Sequence, residues 1–112
     1  MKKQLPLALV GAALSMTVLA CAQSDPALKR SEEAAAKLPN MTEAEMALVR
    51  ERCTACHNFA KVDKEIRKGA SKDDWWAIVD DMAGRRGSPI RQSEIEPLAI
   101  ALDKLTSALK PQ

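Results

Sequence analysis

The chain has 112 residues, a length that allows one small domain at most. It carries 17 Lys and Arg against 15 Asp and Glu, which gives a formal net charge of +2 at pH 7. This near balance excludes the strongly basic composition of nucleic-acid-binding proteins, so no nucleic acid is expected as a partner.

Residues 1–20 have the anatomy of a secretory signal peptide and are left out of the predicted fold. Lys2 and Lys3 form a basic start, and residues 5–19 are mostly apolar. This apolar run is too short, and too promptly followed by polar sequence, to predict a transmembrane helix. The mature protein is therefore expected in the periplasm or on the outer face of a bacterial membrane, with 15 basic residues against 15 acidic ones.

Two cleavage patterns overlap at Cys21. Residues 18–21 resemble a bacterial lipoprotein box, in which Cys21 is lipidated and becomes the mature N-terminus. Residues 20–22 also fit the A-x-A pattern of ordinary signal cleavage, which would release a soluble protein beginning at Gln23. We favour the lipid anchor on Cys21, and both patterns place the protein outside the cytoplasmic membrane.

Residues 21–40 are polar and alanine-rich, with Pro26 and Pro39 near the two ends. One interpretation is a short helix from Ser31 through Lys37. The other is a flexible tether that lifts the domain away from the membrane. We predict the tether, and we place the folded domain at residues 41–112.

The first helix of this domain is predicted to begin at a capping box formed by Thr42 and Glu45. It should run to Cys53, because apolar residues recur at helical spacing along it. Its buried side is predicted to consist of Met46, Val49 and Ala47.

Cys53, Cys56 and His57 form the pattern C-x-x-C-H, the attachment signature of a c-type haem. Two thiols three residues apart on one helical turn can reach the two vinyl groups on one edge of the porphyrin. The residue that follows then brings its imidazole to the iron. The motif therefore predicts one covalently bound haem c, with Cys53 and Cys56 as anchors and His57 as the first axial ligand.

Two other chemistries use similar cysteine patterns. A structural zinc site needs four ligands, whereas the chain holds three cysteines and one histidine, and Cys21 lies at the export signal. A thioredoxin-like dithiol needs a preceding apolar strand, whereas residues 43–52 have a helical pattern. Haem is therefore the favoured interpretation.

Downstream of the motif, residues 61–72 are densely charged, which is typical of a solvated loop or a short irregular helix. A second capping box, Ser71 with Asp74, predicts a further helix that ends at Gly84. One continuous face of this helix is apolar. That face contains Trp75, Ile78, Val79 and Met82.

A third capping box, Ser93 with Glu96, predicts the last helix, with Pro97 in its first turn and Pro111 at its end. Its apolar stripe contains Ile95, Leu98, Ala99, Leu102, Leu105 and Leu109. No β-hairpin signal is visible in the sequence, so the predicted fold class is all-α.

This order of elements resembles that of class I (monohaem) cytochromes c over residues 42–109, and in particular the small cytochrome c domains found in or alongside bacterial periplasmic dehydrogenases. The specific part of the resemblance is the C-x-x-C-H motif. The spacing of Trp75, Val79 and Met82 before Gly87 adds to it. The resemblance implies a small helical domain wrapped around one covalent haem, with its first and last helices packed together over the haem edge. It further implies a one-electron carrier, not an enzyme by itself, whose partners are redox proteins such as a dehydrogenase, an oxidase or another cytochrome.

The second axial ligand is less directly indicated. His57 is the only histidine, so ligation by two histidines of one chain is excluded; methionine, lysine, the N-terminal amine or an open position remain. Met82 lies downstream of the motif and near a helix end, so we expect it to be the ligand, with Met46 in the core and Met41 at most near the haem rim. If Met82 is core packing instead, the sixth position is open and the protein is a haem-based ligand-binding or sensor protein. A cytochrome subunit of a periplasmic dehydrogenase is a further alternative.

Two kinds of side chain could contact the haem propionates: an indole from Trp75 or Trp76, and a guanidinium from Arg85 or Arg86. We expect one tryptophan to be a core residue and the arginines to be surface residues.

Overall fold

The computed structural model describes residues 25–55 and 57–109. The predicted signal peptide, the predicted lipidation site Cys21, the predicted anchor Cys56 and the predicted helix stop at Pro111 lie outside these ranges. Five α-helices follow one another: α1 (Pro26–Ala36), α2 (Glu43–Cys53), α3 (Ala60–Arg67), α4 (Lys72–Ala83) and α5 (Ile95–Leu109), with a short 3-10 turn (Gln92–Glu94) before α5. The described residues contain no strand, which confirms the predicted all-α class for this part of the chain. None of these helices combines the length and the apolar composition needed to cross a membrane.

Helix α5 lies at the centre of the fold, in contact with each of the other four helices. Its apolar stripe is buried as the sequence predicts, with Leu98, Leu102 and Leu105 fully inaccessible to solvent. The expected packing of the domain's first helix against its last, α2 against α5, is present. At one point Lys104 Nζ of α5 contacts Glu45 Oε2 of α2 at 2.8 Å.

Two of the three predicted capping boxes are confirmed. Thr42 Oγ1 accepts from the Glu45 N–H at 3.0 Å, and Glu45 Oε1 accepts from the Thr42 N–H at 2.8 Å, at the start of α2. Ser71 and Asp74 form the same reciprocal pair at the start of α4. Each box satisfies two backbone donors that a helix start leaves without helical partners.

The third box, Ser93 with Glu96, is wrong. The side chain of Glu94, not that of Glu96, folds back onto the preceding backbone, where its Oε1 accepts from the Arg91 N–H at 3.0 Å. Glu94 is also held by Arg52 of α2 through two bonds of 2.9 Å, which fixes its carboxylate at this helix start. Pro97 lies in the first turn of α5, as predicted.

The charged segment at residues 61–72 forms a regular helix, α3, over most of its length. Val62 and Ile66, four residues apart, are buried against the core, and the charges lie mainly outside. The helix ends at Arg67, and Gly69, two residues further on, has a φ of 76° in the left-handed region that glycine tolerates best. There the Gly69 N–H donates to the Ile66 carbonyl and the Ala70 N–H to the Glu65 carbonyl, the pattern of a Schellman motif.

The prediction of a flexible tether across residues 21–40 is wrong for residues 26–36, which form helix α1. Asp25 caps this helix, and Pro26 occupies its first turn, where a missing N–H costs least. Ser31 and Ala35 are buried, and α1 packs against α5, α3 and α2. Most residues of α1 are good helix formers, and this packing supplies the stabilisation that an isolated helix of this length lacks.

Candidate functional site

A cavity of about 520 Å³ opens between α3, α4 and α5, and both predicted axial ligands, His57 and Met82, line it. A second cavity of about 190 Å³ adjoins it, since the two share His57, Met82 and Arg85. Much of the larger cavity's wall is apolar. The apolar residues of this wall include Val62, Trp75, Ile78 and Leu102.

His57 lies in the segment between α2 and α3 and is half-buried. Its Nδ1 is 2.8 Å from the carbonyl oxygen of Asn58. A carbonyl oxygen can only accept a hydrogen bond, so the neutral ring donates through Nδ1–H and keeps its lone pair on Nε2. This tautomer is the one that a metal ligand requires when Nε2 is the ligating atom.

Met82 lies in the last turn of α4, half-buried against the core. The residues of the apolar stripe of α4 differ in how deeply they are buried. Trp75 and Val79 are almost fully buried, whereas Ile78 and Met82 are partly accessible and line the cavity. Met82 therefore packs against the core and still reaches the space that His57 lines.

The other two methionines of the described chain lie elsewhere. Met46 is 4% exposed, which confirms its predicted core position, and Met41 is half-buried. Both line a separate cavity of about 320 Å³ together with residues of α1 and α2. Among these three methionines, Met82 is the one that shares a cavity with His57.

Cys53 is the last residue of α2 and is 3% exposed within the hydrophobic core. Burial raises the pKa of its thiol to about 12. The thiol is therefore protonated at neutral pH and a poor nucleophile in this conformation. The second predicted anchor, Cys56, lies outside the described residues.

Trp75 cannot offer its indole to a haem propionate, because its Nε1–H already donates to Thr106 Oγ1 at 2.7 Å inside the core. Thr106 in turn donates to the Leu102 carbonyl at 2.8 Å. Trp75 is thus the core tryptophan, and Trp76 is 41% exposed. Arg85 lines both cavities and forms an exposed ion pair with Asp81.

Charged residues at the two cavities that the sequence did not single out are Arg52, Lys61, Glu65 and Asp81. Arg52 precedes the motif directly, and its bidentate contact with Glu94 lowers the pKa of that carboxyl to about 2. Lys61 and Glu65 lie on α3, four residues apart. The spacing of Val62 and Ile66 was the available signal that this charged segment is helical.

The two predicted axial ligands and the apolar walls of the cavity fit a haem, whereas the predicted anchor Cys53 is buried in the core and lines neither of the two cavities. An imidazole and a thioether are established protein ligands of haem iron, and a volume of a few hundred Å³ with apolar walls is usual for cofactor sites. Over residues 25–55 and 57–109, no group of three or more His, Cys, Asp and Glu side chains is arranged to hold a metal ion directly. No protein-family model matches this chain, and comparisons with curated proteins and with solved structures found no match either.

Proposed function

We propose that this chain is a monohaem c-type cytochrome that carries single electrons between redox proteins on the periplasmic side of a bacterial membrane. Cys53 and Cys56 anchor the haem covalently, His57 is the proximal ligand and Met82 the distal one. The cavity between α3, α4 and α5 would hold the group, and a lipid on Cys21 would hold the protein at the membrane.

One observation carries this proposal: the single histidine of the C-x-x-C-H motif and a downstream methionine line the same cavity. The hydrogen bond from His57 Nδ1 to a backbone carbonyl adds to it, because it leaves Nε2 with a free lone pair. His57 and Met82 lie on different elements of the fold, so the position of one in the sequence does not by itself place the other in the same cavity.

When bound, the haem supplies one reversible electron between its ferric and ferrous states. The residues of the chain set the conditions for that exchange. Val62, Ile78 and Leu102 would face the bound haem with apolar side chains, and the lower local dielectric they provide would favour the less charged state of the iron. Two protein ligands leave no position for a substrate, which suits a carrier whose encounters with partners are brief.

The test is to express the full chain, with its signal, in a bacterial host competent for cytochrome maturation. We expect intact mass to report one haem per chain and the colour to persist after denaturation. A Cys53→Ser, Cys56→Ser double variant is the matched control and should lose the covalent haem. A colourless but stably folded product from the same host would contradict the proposal.

A further inference from the structure

The carboxylate of Asp25, the N-cap of α1, accepts two backbone hydrogen bonds. Oδ1 accepts from the Leu28 N–H at 3.2 Å and caps the helix. Oδ2 accepts from the Phe59 N–H at 2.8 Å, which joins α1 to the segment that follows His57. Asp25 therefore fixes the backbone two residues beyond the predicted proximal ligand.

A single peptide group connects Asp25 to His57. Its N–H, that of Phe59, donates to the Asp25 carboxylate, and its oxygen, that of Asn58, accepts from His57 Nδ1 at 2.8 Å. Hydrogen bonds in a chain polarise one another, so a peptide whose N–H is bound by a carboxylate carries more negative charge on its oxygen. The Asn58 carbonyl is therefore a stronger acceptor for the imidazole than an unassisted peptide would be.

We propose that Asp25 is a positioning residue for His57 and acts on it through the Asn58–Phe59 peptide. The relay holds the ring in the tautomer with a free Nε2 and makes that nitrogen a stronger electron-pair donor to a bound metal. A carboxylate bonded directly to a metal-ligating histidine has the same two effects. What His57 ligates rests on the proposed function, whereas the relay itself is a property of the folded chain.

Helix α1 is bound by side chains both from α2, which precedes the motif, and from α3, which follows it, and these contacts fix the position of Asp25. On the side that precedes the motif, Glu32 of α1 accepts from Arg50 Nε of α2 at 2.6 Å. On the side that follows it, Arg30 of α1 pairs with Asp63 of α3. Phe59, whose N–H completes the relay, has a fully buried side chain.

Three variants separate the relay from the helix cap. Asp25→Asn has nearly the same shape but lacks the charge that polarises the peptide. Asp25→Ser keeps a good N-cap oxygen for Leu28 but is too short, with one oxygen, to serve Phe59 as well. Thr42→Ala is the matched control, because it removes an N-cap from α2 without touching the relay.

In the haem-loaded protein, we expect both Asp25 variants to have a higher reduction potential than the wild type, because a weaker bond to Nδ1 leaves the ferric iron less stabilised. The potential of Thr42→Ala should be unchanged. Equal potentials for Asp25→Asn and wild type, or an equal rise in Thr42→Ala, would overturn the proposal and leave the proposed function intact.

The same variants are compared in full-length chains made without haem, where the one histidine gives an unambiguous nitrogen NMR signal. We expect the Nδ1–H tautomer to lose population in both Asp25 variants. Exchange of the Phe59 amide hydrogen should become about tenfold faster or more. If the Asp25 variants have the same tautomer population and the same Phe59 exchange rate as the wild type, the proposed relay is wrong. If no preparation ever binds haem, the proposed function fails and these two measurements still decide the role of Asp25.

Discussion

Met82 is placed where it can pack against the core and also serve as the proposed iron ligand. Its neighbours along α4, Trp75 and Val79, are buried in the core, whereas Met82 is partly accessible and lines the cavity with His57. Core packing and the proposed iron ligation both make use of a side chain of this size at this position. A substitution that keeps the size and removes the sulfur separates the two.

We expect Met82→Leu to abolish the weak absorption band near the red end of the oxidised spectrum, which reports an iron–methionine bond. The free energy of unfolding of the haem-free chain should fall by less than about 1.5 kcal/mol, since Leu and Met have similar volumes. Absorption spectroscopy and urea unfolding measure the two effects.

Met46→Leu is the matched control for that experiment. Met46 is more deeply buried and lines a different cavity, so its substitution should leave the spectrum unchanged at a similar cost in stability. An unaltered spectrum in Met82→Leu would assign Met82 to packing alone and favour the ligand-binding or sensor alternative.

At the residue scale, what the sequence predicts depends on the distance along the chain between partners. The two confirmed capping boxes join residues that are three apart in sequence. His57 is likewise indicated as a candidate ligand by the residues directly before it. The Trp75–Thr106 bond spans 31 positions and the Arg52–Glu94 pair spans 42. Such partners become visible only when the packing of α4 and α2 on α5 is known.

The helices also differ in how far the sequence predicts them. Helices α2, α4 and α5 carry apolar residues at helical spacing, so their existence follows from pattern. Helix α1 is built from small and polar residues, and helix α3 from mostly charged ones. Neither helix has a broad apolar face of its own, which is why the sequence indicated a tether for residues 21–40 and a solvated loop or short irregular helix for residues 61–72.

The junction of α1 and α3 depends on Asp63, which is 7% exposed and paired with Arg30 and Arg67. Burial opposes its charge, but hydrogen bonds from Arg67 and Arg30 outweigh it and lower the pKa of the carboxyl. We expect Asp63→Asn to reduce the free energy of unfolding by about 1–3 kcal/mol at pH 7. Urea unfolding followed by circular dichroism measures the loss.

The comparison for Asp63→Asn is Asp81→Asn on α4. Asp81 also pairs with an arginine four residues on, Arg85, but both side chains are about two-thirds exposed. Water screens such a pair, so its loss should be within about 0.5 kcal/mol of neutral. Equal losses in the two variants would contradict the role given to Asp63.

At the scale of the whole molecule, carboxylates connect helices that are distant in sequence. Glu94 joins the start of α5 to Arg52 of α2, and Glu45 joins α2 to Lys104 of α5. Asp63 joins α3 to α1. In each case the pKa of the carboxyl is lowered in the folded state despite the opposing effect of burial. The arrangement of the helices around α5 therefore depends on these groups remaining ionised.

This dependence predicts a loss of stability in acid. Glu94 has a pKa of about 2 when folded against 4.5 as its ordinary value, so the unfolded chain binds its proton first as the pH falls. Its contribution is complete above about pH 4.5 and declines as the pH falls towards about 2. We expect Glu94→Gln to be less stable than wild type at pH 7 and to lose less stability on acidification. Urea midpoints measured across this range, with the exposed Glu33→Gln of α1 as control, test this. Parallel pH profiles for Glu94→Gln and wild type would show that the Arg52–Glu94 contact does not set the acid limit of the fold.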